Sequence, residues 1–297
     1  MELVKLASDI ELDVWDSGPR DAPALIFLHG FPESYRTWRH QIAHLSGRFR
    51  CIAPNQRGYG GSSKPKDVAD YTPDKLIGDV FQLADALGIG EFTILGHDWG
   101  GALAWGVALL GQASGRVTRA VIANAPHPAI FPKLLWLDPV QREASQYMRE
   151  FRDPANDQLV RDHGLGGLIM KAIRWDRPPA PMEPEERAAL LESWQDRDAA
   201  FAMLNWYRAS PVVVPPIDAP FALPADWQES RWPPLTIPTL VIWALDDNAL
   251  PPGNLQGLEQ IVTDLTIVRV PDCGHFVPWE APAAVNAALD AFLGQAG

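Results

Sequence analysis

Apolar and polar positions partly alternate over residues 3–15 around Ser8-Asp9, which predicts an antiparallel hairpin at a sheet edge. From residue 24 the pattern changes to short apolar runs at 24–28, 51–53, 92–95 and 121–123. They have the density of strands covered on both faces, and helical stretches separate several of them, so a mostly parallel sheet is expected. Thr72-Pro73 marks one helix start, a capping residue followed by proline at the first helical position. Leu76, Val80, Leu83 and Leu87 then recur at helical spacing. After Pro132 the alternation stops. To about residue 232 the chain is rich in Trp, Pro and charge, which reads as an inserted helical domain. Within it Asp138-Pro139 starts a helix running towards Phe151, Glu183-Pro184 starts another, and 197–208 makes a third. Strand-like runs resume at 239–244 and 265–270, and a closing helix spans 282–293. The expected organisation is a core of 1–131 and 232–297 interrupted by a helical cap of 132–231.

Composition narrows the function classes. At 297 residues and 47% apolar, the chain can bury one large core or a core plus a smaller domain, which excludes general disorder. A net charge of −12 repels phosphate backbones and anionic headgroups, so neither nucleic acid nor a membrane surface is expected as a partner. Cys51 and Cys273 have no metal-site or disulfide-framework spacing, and a reducing cytoplasm fits them. The first residues lack a basic region followed by an apolar run, and no 18-residue apolar stretch occurs. Neither secretion nor a membrane span is therefore expected. His40 and His44 stand i, i+4 but lack the glutamate of a zinc-hydrolase motif, so they read as a solvent-facing pair. No metal and no cofactor are expected, and a homodimer is left open.

The chemistry gathers at three places. Phe92-Thr93-Ile94-Leu95-Gly96-His97-Asp98-Trp99-Gly100-Gly101 reads as a strand, a tight turn of small residues and a helix beginning near Gly100, the pattern of a nucleophile elbow. Aspartate stands where serine is usual. A carboxylate is ionised at neutral pH and needs no base to attack a saturated carbon. His29-Gly30-Phe31-Pro32 follows the run at 24–28; alone it is only a loop, but beside the elbow it can offer the Phe31 N–H, with that of Trp99, to a tetrahedral oxyanion. Near the carboxyl end, His275 follows the run at 265–270 and is a candidate general base. The acid that orients it should follow the run at 239–244, where Asp246 and Asp247 both stand. His97, beside Asp98, is expected to support the elbow by hydrogen bonding.

These residues resemble the α/β-hydrolase family, and more closely its epoxide hydrolases. The resemblance runs through His29-Gly30-Phe31-Pro32, Arg57-Gly58-Tyr59-Gly60, Gly96-His97-Asp98-Trp99-Gly100, Gly274-His275 and Glu280-Ala281-Pro282, nearly the whole chain. It implies the α/β-hydrolase fold, an alkyl-enzyme ester on Asp98, and Asp247 as the orienting acid with Asp246 in reserve. It also implies two cap tyrosines that hydrogen-bond the epoxide oxygen. Leu204-Asn205-Trp206-Tyr207-Arg208 is similar to the segment carrying one, and Tyr147 to Pro154 resembles the segment carrying the other. Tyr147 shares a helical face with Phe151, as Met203 does with Tyr207. Phe31, Trp99, Trp206 and Phe276 are expected against the substrate. The pattern departs from family habit at Asn55, where aspartate is common, which touches a loop contact and not the chemistry.

The partners expected are a small epoxide and water, with a vicinal diol as product. The 12 tryptophans favour apolar or aryl epoxides over sugars. The nearest rival is a haloalkane dehalogenase, with the Trp99 indole and one of Trp175, Trp194 or Trp206 holding halide. Haloacetate dehalogenases are less similar, because arginines near their elbow clamp the substrate carboxylate where Trp99 and Ala102 stand here. A non-catalytic binding protein on the same scaffold is a further alternative.

Overall fold

The computed structural model describes residues 1–173, 182–230 and 232–294. The alternating amino terminus forms β1 (Glu2–Lys5) and β2 (Glu11–Ser17), paired antiparallel at one edge of the sheet. The reversal at Ser8-Asp9 is tight enough to place Asp9 at φ 63°. The four apolar runs lie in β3 (Ala24–Leu28), β4 (Arg50–Asn55), β5 (Phe92–His97) and β6 (Val117–Ala123). Every residue of β3, β4 and β5 is buried, as a strand covered on both faces requires. α1 (Arg39–Leu45), α2 (Pro73–Ala86) and α3 (Trp99–Ser114) separate them. α2 starts with Pro73 as expected, although the Thr72 side chain makes no capping bond.

Between β6 and the next strand the described chain forms α4 (Phe131–Leu137), α5 (Pro139–Ala144), α6 (Tyr147–Arg152), α7 (Asp157–Ala172), α8 (Pro184–Ser193) and α9 (Arg197–Ala209). The single helix expected from Asp138-Pro139 to Phe151 is instead two. The Arg142 carbonyl accepts the Gln146 side-chain amide, while the Gln146 backbone N–H turns to Glu143, so the helical ladder breaks between Ala144 and Tyr147. α7 was not legible beforehand; Gly164, at φ 70° and ψ −174°, interrupts it. The sheet resumes with β7 (Thr239–Ala244) and β8 (Leu265–Val270), and the chain closes with α10 (Val277–Glu280) and α11 (Pro282–Leu293).

The eight strands lie in the order β1-β2-β4-β3-β5-β6-β7-β8, and all pairs from β4 onward are parallel. β4 lies on one side of β3 and β5 on the other, so the chain reverses its direction of travel across the sheet at β3. In open α/β sheets that reversal opens a crevice at the carboxyl ends of the strands. The loops after β3, β5, β6, β7 and β8 all begin at that edge. No described helix is long and apolar enough to cross a membrane.

Candidate active site

Asp98 is the residue between β5 and α3, held at φ 52° and ψ −122°. This backbone conformation is unfavourable for a residue with a Cβ and lifts the side chain out of the turn. Close packing permits it. A Cβ on Gly100 would overlap the carbonyls of Leu28 and His29, and one on Gly30 would overlap the Asp98 side chain itself. The loop after β3 therefore lies directly on the carboxylate, and the Phe31 N–H donates to Asp98 Oδ1 at 2.7 Å. Trp99 is the first residue of α3, so its N–H has no acceptor within the helix. The buried His29 braces this loop, with Nδ1 on the Gly30 carbonyl at 2.9 Å and Nε2 accepting the Gln56 N–H at 3.1 Å. Burial pushes its imidazole down to about 4, which leaves it neutral for that role.

His275 stands between two carboxylates. Its Nδ1 is 2.8 Å from Asp247 Oδ2, and its Nε2 is 3.6 Å from Asp98 Oδ2. Asp246 is exposed in the same loop, with its N–H on the Cys273 carbonyl, so the spacing ambiguity resolves to Asp247. Burial works against a charged imidazole, but Asp247 and Asp98 overcome it and raise His275 well above its ordinary value. Burial likewise opposes ionisation of Asp98, yet His275, His97 and the Phe31 N–H hold that carboxyl below its usual range. These interactions favour a carboxylate on Asp98 and a charged imidazole on His275.

Tyr147 at the start of α6 and Tyr207 in the last turn of α9 meet above this pair, their ring centroids 6.2 Å apart. Both line one cavity with Asp98, Trp99, Phe131, Met148, Val212 and Leu250. No lysine or arginine is among its described lining residues. Burial, together with the nearby Asp98, raises both phenols and so keeps them protonated. The Trp99 ring meets Tyr207 edge-on at 5.1 Å, and its indole N–H interacts with the Tyr207 hydroxyl.

Of the four residues expected against the substrate, Trp99 lines the cavity and the other three do not; Phe31 packs its ring on Phe151 and Tyr207, each at 5.0 Å. Trp206 is turned away from the cavity: its Nε1–H donates to the Arg57 carbonyl at 3.0 Å and its ring packs on Tyr59. It thus docks α9 on the loop after β4. Phe276 stacks on Trp279 at 5.3 Å, meets the His275 ring edge-on at 5.1 Å and is not part of the cavity lining. Trp194 donates to the Pro32 carbonyl at 2.9 Å, and Trp175 lies outside the described residues. The unusual Asn55 is also explained. Its amide donates to Asp13 Oδ2 at 3.0 Å, where an aspartate would set two carboxylates face to face.

Several contributors were not anticipated. Asn124, the residue after β6, donates to Asp247 Oδ2 at 2.6 Å and accepts the Ala244 N–H at 2.8 Å. Its signal was its place one step beyond a parallel strand, as for Asp98. Glu33, directly after the His29 to Pro32 loop, is buried and accepts from Thr37 Oγ1 at 2.8 Å and Trp279 Nε1 at 2.7 Å. Burial pushes its carboxyl up to about 7. His97 donates through Nε2 to the His275 carbonyl at 2.8 Å, the supporting bond expected of it. His40 and His44 are half-exposed beside Glu183 and Asp290, respectively. Among the described residues no group of three His, Cys, Asp or Glu side chains is arranged to hold a metal ion.

Comparison with known proteins gives the family. The family described as alpha/beta hydrolase fold matches residues 23–282. The chain belongs to that family, among its epoxide hydrolases. A solved structure described among novel epoxide hydrolases in metagenomes from hot environments is 71% identical, with a TM-score of 0.96 over 99% of this chain and 98% of that one. Epoxide hydrolase 4 of Mus musculus is 35% identical over 288 residues, covering 93% of this chain and 74% of that protein. A mutant epoxide hydrolase from Bacillus megaterium, solved with its naphthyloxypropanediol product, is 27% identical with a TM-score of 0.83 over 98% and 99% of the two chains.

Proposed function

We propose that the protein converts apolar or aryl epoxides to vicinal diols through an alkyl ester on Asp98, with residues 132–231 acting as a cap over the site. The observation that carries this reading is an apolar cavity into which Asp98, Tyr147 and Tyr207 all open. Displacement of halide needs no proton donor, whereas an epoxide oxygen leaves well only if it receives a proton. Two protonated phenols opposite a carboxylate meet that need. The aryl diol bound by the Bacillus megaterium relative accords with an apolar cavity.

In the first step Asp98 Oδ2 attacks an epoxide carbon. The electron pair of the breaking C–O bond passes to the ring oxygen, which takes a proton from Tyr147 or Tyr207. Esterification removes the charge of Asp98, one of the two anions that hold the proton on His275. That proton can then return to the phenolate, leaving a neutral imidazole oriented by Asp247. His275 next takes a proton from water as the water attacks the Asp98 carboxyl carbon. The oxyanion forms on Oδ1 against the N–H groups of Phe31 and Trp99; its collapse breaks the bond from the carboxyl carbon to Oδ2, the leaving alkoxide takes a proton from the His275 imidazolium to give the diol, and the new Asp98 carboxyl returns its proton to His275. Asp98 carboxylate and His275 imidazolium are restored. Each oxyanion donor is typically worth about 3 kcal/mol of barrier.

His275→Ala separates the two steps. Mixed with a phenyl-substituted epoxide, it should gain the mass of the epoxide and retain it; a folded variant of unchanged mass would refute the ester. One wild-type turnover in heavy-oxygen water should place the label in Asp98 before it appears in diol. For a haloalkane dehalogenase, the described indoles are poorly free: Trp99 meets the Tyr207 hydroxyl, while Trp194 and Trp206 donate to carbonyls. Diol release without halide release is the expected result. We assign the protein to a reducing cytoplasm, on the ground that Cys51 and Cys273 are buried and form no disulfide.

A further inference from the structure

Residues 210–220 contain four prolines and run as an irregular strap from the end of α9. Proline has no N–H, so such a strap cannot join a β-ladder and its carbonyls need other donors. Side chains of α5, of α6 and of the turn between them supply them. Arg142 donates to the Ala219 and Pro220 carbonyls, and Gln146 to Pro215 at 3.1 Å. Arg149 donates to Val214 at 2.9 Å and Arg152 to Val212 at 2.6 Å.

Arg152 differs from the other three. Its Nε also donates to the carbonyl of Tyr207 itself, at 2.9 Å. One guanidinium thus joins α6, which carries Tyr147, to the turn that carries Tyr207 and to Val212 in the cavity wall. Among the described residues no carboxylate forms an ion pair with it, and its buried Nη2 has no hydrogen-bond partner. Its charge is therefore not neutralised locally, and its field acts on both phenols.

We propose that Arg152 is a positioning residue for ring opening: it fixes the two phenols relative to each other, and its charge stabilises the phenolate left when one gives up its proton. This rests on Tyr147 and Tyr207 being the proton donors. The step balances, since the C–O electron pair and the phenol proton both go to the epoxide oxygen and the phenolate charge remains beside Arg152 until it is reprotonated. The hydrogen bonds of this guanidinium go to the Tyr207 and Val212 carbonyls, whereas His275 and Asp247 serve the second step.

The test is a single-turnover measurement with a phenyl-substituted epoxide that resolves ester formation from ester hydrolysis. Arg152→Gln should slow ester formation by about 10- to 100-fold and leave hydrolysis within about twofold, in line with loss of a charge-assisted contact. Arg152→Lys should restore ester formation to within about fivefold of wild type. Equal slowing of both steps, or no slowing, overturns the proposal. The double variant Tyr147→Phe, Tyr207→Phe is measured alongside. If it is inactive while Arg152→Gln forms ester at the wild-type rate, only the role of Arg152 fails. If it opens epoxide normally, the donor reading fails and the proposal with it. Should Arg152→Gln not fold, Arg152→Lys decides: ester formation more than about tenfold slow, or both steps slowed equally, overturns it.

Discussion

Glu33 is 5% exposed, and its carboxyl is pushed up to about 7 because burial penalises the charged form more than Thr37 and Trp279 relieve it. An unfolded glutamate titrates near 4.3. Between these values the folded state holds the extra proton, so rising pH removes stability across that window and leaves little change above or below it. Glu33→Gln should abolish this part of the pH dependence. The variant should gain up to about 3 kcal/mol relative to wild type between pH 4.5 and 7.5; a difference in denaturant midpoint that stays flat over that range would contradict it. Asn124 poses a second test. Asn124→Ala leaves Asp247 without its 2.6 Å bond and the Ala244 N–H without an acceptor. Ester hydrolysis should slow about tenfold and stability fall by about 1–3 kcal/mol, readable from single turnover and thermal unfolding. Neither residue belongs to a recognisable motif, and their importance comes from burial and from partners distant in the chain.

At the scale of elements, the parallel strands and the closing helix were legible because burial on both faces demands apolar runs and proline marks helix starts. The break between α5 and α6 was not, since it depends on which donor the Arg142 carbonyl accepts. The loop after β3 was expected beside the elbow, and the fold lays it directly on the Asp98 side chain. Gly30→Ala tests that closeness: displacing the Phe31 N–H from Asp98 Oδ1 should cost about 100-fold in ester hydrolysis. α9 offers the converse case. Trp206→Phe should lower stability by about 1–2 kcal/mol, through the lost bond to the Arg57 carbonyl, and leave relative rates across a set of epoxides unchanged. Altered substrate preference would return Trp206 to the substrate site.

For the whole molecule, the reversal of strand order at β3 decides where the site can lie, and the helices inserted after β6 close it with apolar side chains. A cavity without a described cation should reject anionic substrates. An epoxide carrying a carboxylate should therefore turn over at least about 100-fold more slowly, by kcat/KM, than an apolar epoxide of similar size. Sequence alone determined the strands, the elbow, the candidate nucleophile and the candidate base, because alternation, proline starts and the needs of a tight turn act over a few neighbouring residues. Tertiary structure set Asp247, the acid the resemblance favours and spacing left open, against His275, turned Trp206 and Phe276 away from the cavity, and brought Asn124, Glu33 and Arg152 around the site. Those outcomes depend on which groups compete for each buried donor and acceptor, and in this fold the competitors lie far apart along the chain.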